Sequence, residues 1–161
     1  VDYMDCKTYK TNYAKYQPPL EQAVWQTKEY EEHVEHFHQC TQCSEWVMEQ
    51  TAFHKGIDAS RYCCVEMAYH LSAGIGVDPY QDADVVIIHY KKYDEYGIPI
   101  KDGGTSFISI SNCPWCGKLL PTSKRDLWWD TLQRLGYEET SEQEIPKEFE
   151  TDEWWLKLKS D

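Results

Sequence analysis

Seven of the 161 residues are cysteines, and four of them stand in two C-x-x-C pairs, Cys40/Cys43 and Cys113/Cys116. No other feature limits the folding options of this chain as strongly. Two thiolates at that spacing chelate one ion from a single tight turn. An odd cysteine count suits a secreted disulfide framework poorly, because such scaffolds usually pair every cysteine. In a reducing compartment the pattern points to metal, and zinc is the expected ion.

The segment Cys113-Pro114-Trp115-Cys116-Gly117 reads as a zinc knuckle at the end of a β-strand. A glycine after the second cysteine lets the backbone turn so that amides face the sulfurs. The rival reading is a thioredoxin-type redox pair, which needs a long helix after the motif and a βαβ context. Pro121 interrupts the chain soon after Cys116 and no βαβ pattern is present, so zinc is favoured. A knuckle supplies half of a tetrahedral site. Cys63 and Cys64 are the expected other half, with His70 as a substitute for one of them; the alternative is that both are small buried apolar residues.

His36, Cys40 and Cys43 form a second constellation, H-x3-C-x2-C. On a continuous helix these positions share one face, since 3.6 residues per turn aligns i, i+4 and i+7. Cys6 is the first choice for the fourth ligand, with His33, His38 and His54 as alternatives. Two sites built this way use all seven cysteines and one histidine, and two structural zinc ions are expected.

The pattern of the chain predicts an α+β fold. An N-terminal helical, zinc-binding segment over 1–56 precedes an α+β domain over 57–161. Val1 to Pro19 reads as a short helix or an extended arm. Leu20 to about Phe53 lacks Gly and Pro and reads as helical, with Trp25, Tyr30, Val34 and Phe37 near helical spacing. Lys55-Gly56 closes it. Arg61 to Leu71 fits a helix or a strand and turn. Asp84–Tyr90, Gly97–Lys101 and Thr105–Ser111 read as a three-stranded antiparallel meander, with Asp102-Gly103-Gly104 as a turn. Ser123 is the expected cap of a helix that stops at Gly136, and Thr151 the cap of a last helix over Asp152–Leu158.

The formal net charge is −12, and Tyr137 to Asp161 carries nine acids against three lysines, half of that charge. Such a balance repels phosphate backbones and disfavours nucleic acid as a partner. Lys118, Lys124 and Arg125 beside Trp128-Trp129 are a small exception, but those tryptophans fit a core better than a stacking platform. No apolar run reaches the ~18 residues of a membrane span. Val1 to Asp5 lacks the character of a signal peptide, so a cytoplasmic protein is expected. No GxSxG, P-loop, GxGxxG or HExxH motif occurs. His54 with Asp58 and His70 with Glu66 are equally well surface helix pairs. A catalytic zinc keeps an open position with fewer sulfur ligands, so the chain is not expected to be an enzyme.

Arg61 to Trp155 resembles a bacterial zinc-ribbon-like family of uncharacterised function. The match lies in Tyr62-Cys63-Cys64 with Met67, Tyr96-Gly97-Ile98, Asp102 to Ser106, the run from Cys113 to Trp128, Leu135-Gly136-Tyr137, Ile145-Pro146 and Asp152 to Trp155. The resemblance implies the paired-cysteine and knuckle site and no particular activity. The upstream cysteine with H-x3-C-x2-C is similar to the zinc-binding anti-sigma domains. That resemblance implies Cys6, His36, Cys40 and Cys43 as ligands on a small helical bundle that grips a sigma factor, although Pro18-Pro19 departs from its spacing. The expected role is a zinc-stabilised protein-interaction protein: an inhibitor, immunity or regulatory protein acting on a bacterial or phage partner, with a basic partner surface as the natural match for its acidity. An anti-sigma-like transcription regulator and an enzyme with an unrecognised site are the alternatives.

Overall fold

The computed structural model describes residues 4–137 and 144–158. The acidic stretch noted in the sequence therefore falls partly outside the described residues. The fold is α+β, as expected from the pattern. Helix α1 (Cys6–Asn12) starts at Asp5, whose Oδ1 accepts hydrogen bonds from the amides of Lys7 (2.8 Å) and Thr8 (2.9 Å). A 3₁₀ turn over Tyr13–Tyr16 and a single turn, α2 (Gln22–Trp25), follow. Helix α3 (Lys28–Gln39) is capped by Thr27, and α4 (Thr41–His54) begins directly after Cys40.

The region expected to be one helical segment is thus three helices. The decisive break is at Cys40, whose backbone is extended (φ −102, ψ 98). Its N–H closes α3 on the His36 carbonyl, and its C=O accepts from Cys43 and Ser44 to open α4. The apolar spacing did not mark the buried face here. Trp25 is 55% exposed, while the buried residues of α3 and α4 are His33, His36, Cys43 and Ala52.

After α4, helix α5 (Val65–Ser72) takes up the helical option for this stretch, and α4 lies against it. The sheet is an antiparallel meander in the order β1 (Ile88–Tyr90), β2 (Glu95–Pro99), β3 (Phe107–Ser109). The strands are shorter than expected. Val85 to Ile87 precede the ladder, and β2 starts two residues early because a 3₁₀ turn over Lys91–Tyr93, closed by Asp94 in the left-handed region (φ 53), returns the chain soon after β1. Gly97 is required by close approach: a Cβ there would meet the Phe107 ring at 2.1 Å.

Helix α6 (Arg125–Arg134) has Lys124, not Ser123, at its cap position. The Ser123 hydroxyl donates to Glu95 (2.6 Å) and accepts from the Arg125 amide (3.1 Å), so it bridges helix to sheet. The last helix, α7 (Glu153–Lys157), has Asp152 in the cap position, and Thr151 Oγ1 accepts from the Glu153 amide.

Two apolar clusters hold the α+β part. Met67 and Leu71 of α5 pack on Ile87, Tyr96, Cys113 and Leu120. Trp128 and Leu132 of α6 pack with Tyr93, Phe149, Trp154 and Trp155. The indole N–H groups of Trp154 and Trp155 donate to the carbonyls of Lys92 and Lys91, which ties α7 to the β1–β2 turn. No helix of the described residues is long and apolar enough to cross a membrane.

Candidate metal centres

The structure brings together the two quartets Cys6/His36/Cys40/Cys43 and Cys63/Cys64/Cys113/Cys116. Within each, all four donor atoms lie within 4.8 Å of one another. A tetrahedral ion with metal–sulfur bonds near 2.3 Å spaces its sulfurs by roughly 3.8 Å. The closest sulfur pairs are Cys6–Cys40 at 3.6 Å, Cys64–Cys113 at 3.7 Å and Cys63–Cys116 at 3.5 Å. A disulfide needs ~2.05 Å, and all seven thiols are free. Both donor sets can hold a metal ion.

The C-terminal quartet is built on a β-turn device. Past β3, the amide of Cys113 donates to the Lys118 carbonyl (2.8 Å) and the amide of Gly117 to the Cys113 carbonyl (2.9 Å). Gly117 adopts φ +71, a conformation that favours glycine, so the chain reverses beneath the two sulfurs. The opposite pair comes from the start of α5. Cys64 is the cap residue of that helix, and its sulfur accepts from the Met67 amide at 3.4 Å. A helix N-terminus favours a thiolate there.

The N-terminal quartet is assembled from α1, α3 and α4. On one straight helix the Cα atoms of residues 36 and 43 would stand about 10.5 Å apart. The expectation that positions 36, 40 and 43 share one helical face is therefore replaced by a corner. The break at Cys40 turns α4 back, and His36 Nε2 comes to 3.2 Å from the Cys43 sulfur. Cys6 arrives from α1 as the fourth donor. The other histidines weighed for that role lie elsewhere: His33 stacks on Tyr9 (centroids 4.2 Å, 11°), and His38 and His54 are exposed. His70 stacks on Trp115 (4.3 Å, 7°), outside the C-terminal quartet.

Electrostatics favours a cation in both places. Burial pushes the thiols of Cys43 and Cys63 up to about 12 and that of Cys64 to about 11, with the neighbouring sulfurs adding to the rise. The Lys118 amide draws Cys116 down to about 7, and the Cys43 amide draws Cys40 below the ordinary thiol value. Crowded thiols of this kind ionise together only when a cation offsets their mutual repulsion.

Sequence reasoning missed a charged network anchored at the start of β2. Asp94 and Glu95 are both buried. Burial raises the Asp94 carboxyl, but His89 (3.0 Å) and the Lys124 ammonium outweigh it and hold it below its ordinary range. Burial likewise raises Glu95, and Arg125 with Ser123 brings it down. Lys124 and Arg125, two of the basic residues weighed for nucleic acid, are thus engaged inside the fold. They are some 30 positions from their partners in the chain, and nothing local announces the pairing.

A family model described as a domain of unknown function (DUF6980) matches residues 61–157, which is more than half of the chain. The matched stretch holds the whole C-terminal quartet and none of the N-terminal one. No curated protein and no solved structure matches the chain.

Proposed function

The chain belongs to this family of unknown function, and we propose that it is a non-enzymatic protein-interaction protein stapled by two structural zinc ions. One observation carries the reading. Each quartet offers four converging donors, three or four of them sulfur. An ion so held has a full tetrahedral shell and no open position for a substrate, and thiolate-rich sets select zinc over hard cations. The ions then act as scaffold, and the C-terminal one sits in a zinc-ribbon-like setting of knuckle plus strand end.

Function then falls to the surface. Ile98 and Ile108 are directly opposite each other on adjacent strands and are 42% and 57% exposed. They extend the sheet face that Tyr96 and Ile110 bury further along. A cross-strand apolar pair in water on an acidic protein suits a partner with an apolar spot and a basic rim. The role proposed is inhibition or regulation of such a bacterial or phage protein. An anti-sigma-like regulator is the second reading, supported by the way Cys6, His36, Cys40 and Cys43 join three helices.

A photo-crosslinking residue at Ile108 tests the proposal in host lysate. A discrete crosslinked protein, lost in an Ile98→Glu/Ile108→Asp chain that keeps both metals, is the expected result. Crosslinks that are absent, or unchanged by the substitutions, would count against it.

A further inference from the structure

A cleft of about 380 Å³ opens between the end of α4, the 3₁₀ turn at Ala59–Arg61 and β1. Its size falls in the range of small-ligand sites. Arg61, His89 and Lys91 line it together with Tyr62, Tyr80 and Tyr90. Arg61 and Lys91 give this lining two cations against one acid, Asp58, on a chain of net −12.

The other basic groups of this neighbourhood have work inside the fold. Lys92 lies over the Trp128 ring at 4.1 Å, Lys124 pairs with Asp94, and Arg125 pairs with Glu95. Arg61 and Lys91 differ, since neither side chain makes a hydrogen bond or an ion pair among the described residues. Asp58 is the acid on the cleft wall. Its Oδ1 is taken by the amide (3.0 Å) and hydroxyl (2.7 Å) of Ser60, although Arg61 lies near enough to feel its charge. His89 is held by Asp94 through Nε2 and stacks on Tyr96 (4.1 Å, 3°), while its Nδ1 is buried without a partner.

We infer that this cleft binds a small anion carrying a flat ring, of the class of a nucleoside monophosphate. Arg61 and Lys91 receive the anionic group, for which a guanidinium and an ammonium are complementary donors. The tyrosines receive the ring, because an aromatic wall accepts any planar heterocycle by stacking. Low-dielectric walls focus the field of the two cations into the hollow, so attraction survives the overall negative charge. Its lining includes no ligand of either metal quartet and neither Ile98 nor Ile108.

Calorimetric titration of the metal-loaded chain tests this with AMP, GMP, CMP and UMP, with inorganic phosphate and adenosine as half-ligands. At least one mononucleotide should bind, more tightly than either half-ligand and more weakly as salt rises. Arg61→Ala and Lys91→Ala should each weaken it about tenfold, while Lys28→Ala, which removes an equal charge from a distant surface pair, should leave it unchanged. Retained metal content confirms that the variants are folded. No binding by any of the four at millimolar concentration overturns the proposal, as does binding indifferent to both cleft substitutions. Phosphate binding as well as the nucleotide overturns the role of the ring, and adenosine binding as well overturns that of the anion.

Discussion

The two quartets carry the same number of donors in unlike surroundings. The C-terminal one is half embedded in an apolar core: Cys113 is itself a buried member of the cluster formed by Met67, Leu71, Ile87, Tyr96 and Leu120. The N-terminal one joins three helices whose buried groups are mainly Tyr9, Tyr16, His33, His36 and Cys43. Neither apolar cluster takes a buried member from before Met67. An ion added to an existing core reinforces it. An ion that gathers short helices with little core of their own supplies much of the reason they fold.

The largest expected effect follows from that contrast. Cys43→Ser should release the N-terminal ion and unfold α1 to α3, which lack the packing on α5 that α4 has, since a structural zinc contributes ~10 kcal/mol or more to folding. Hydrogen exchange should then show residues 6–39 exchanging freely while β2 and α6 stay protected. Equal loss of protection in both parts would erase the distinction drawn between them.

Cys116→Ser should have a smaller effect. It should lose the other ion and lower the melting temperature, yet leave the Trp128/Leu132/Phe149 cluster packed. Tryptophan emission close to that of the parent chain is the expected signature, and a red shift to that of the unfolded chain would show that the knuckle holds both clusters. Leu132→Ala deletes a fully buried side chain and should cost about 3 kcal/mol in denaturant unfolding without loss of either metal. Metal release by this substitution would mean that the apolar core and the centres are not independent.

The charged network gives the smallest effects. Arg125→Ala leaves Glu95 buried without its main partner, at about 2 kcal/mol, because Arg125 is itself partly exposed. Acid should act in two steps. Metal leaves first, since protons compete for thiols whose values lie near 7 or well above it. Asp94 and Glu95 sit below 3.8 and 4.5 when folded, so their contribution is full above about pH 5 and is lost as pH falls through the lower folded values. Metal content and fluorescence followed from pH 7 to 2 should therefore fall in that order, and simultaneous loss would contradict it.

Much of this arrangement was readable in the chain. The knuckle is a local device: two cysteines, a proline and a glycine within five residues determine the turn and the direction of the sulfurs. The meander was readable because glycines and β-branched residues report the sheet directly. The break at Cys40 was not, because no glycine or proline marks it. A cysteine serving at once as the end of one helix and the cap of the next is visible only when Cys6 and His36 converge on it. The cleft was hidden for a related reason. Arg61 and Lys91 are ordinary surface residues in sequence, and only packing of the 3₁₀ turn beside β1 sets them across one hollow.

Metal analysis of the purified chain, alone and with Cys43→Ser or Cys116→Ser, tests the central claim most directly. Two zinc ions per chain, falling to one in each variant and to none in the double variant, is the predicted result. A folded chain without metal, or a single ion lost equally by either substitution, would contradict it.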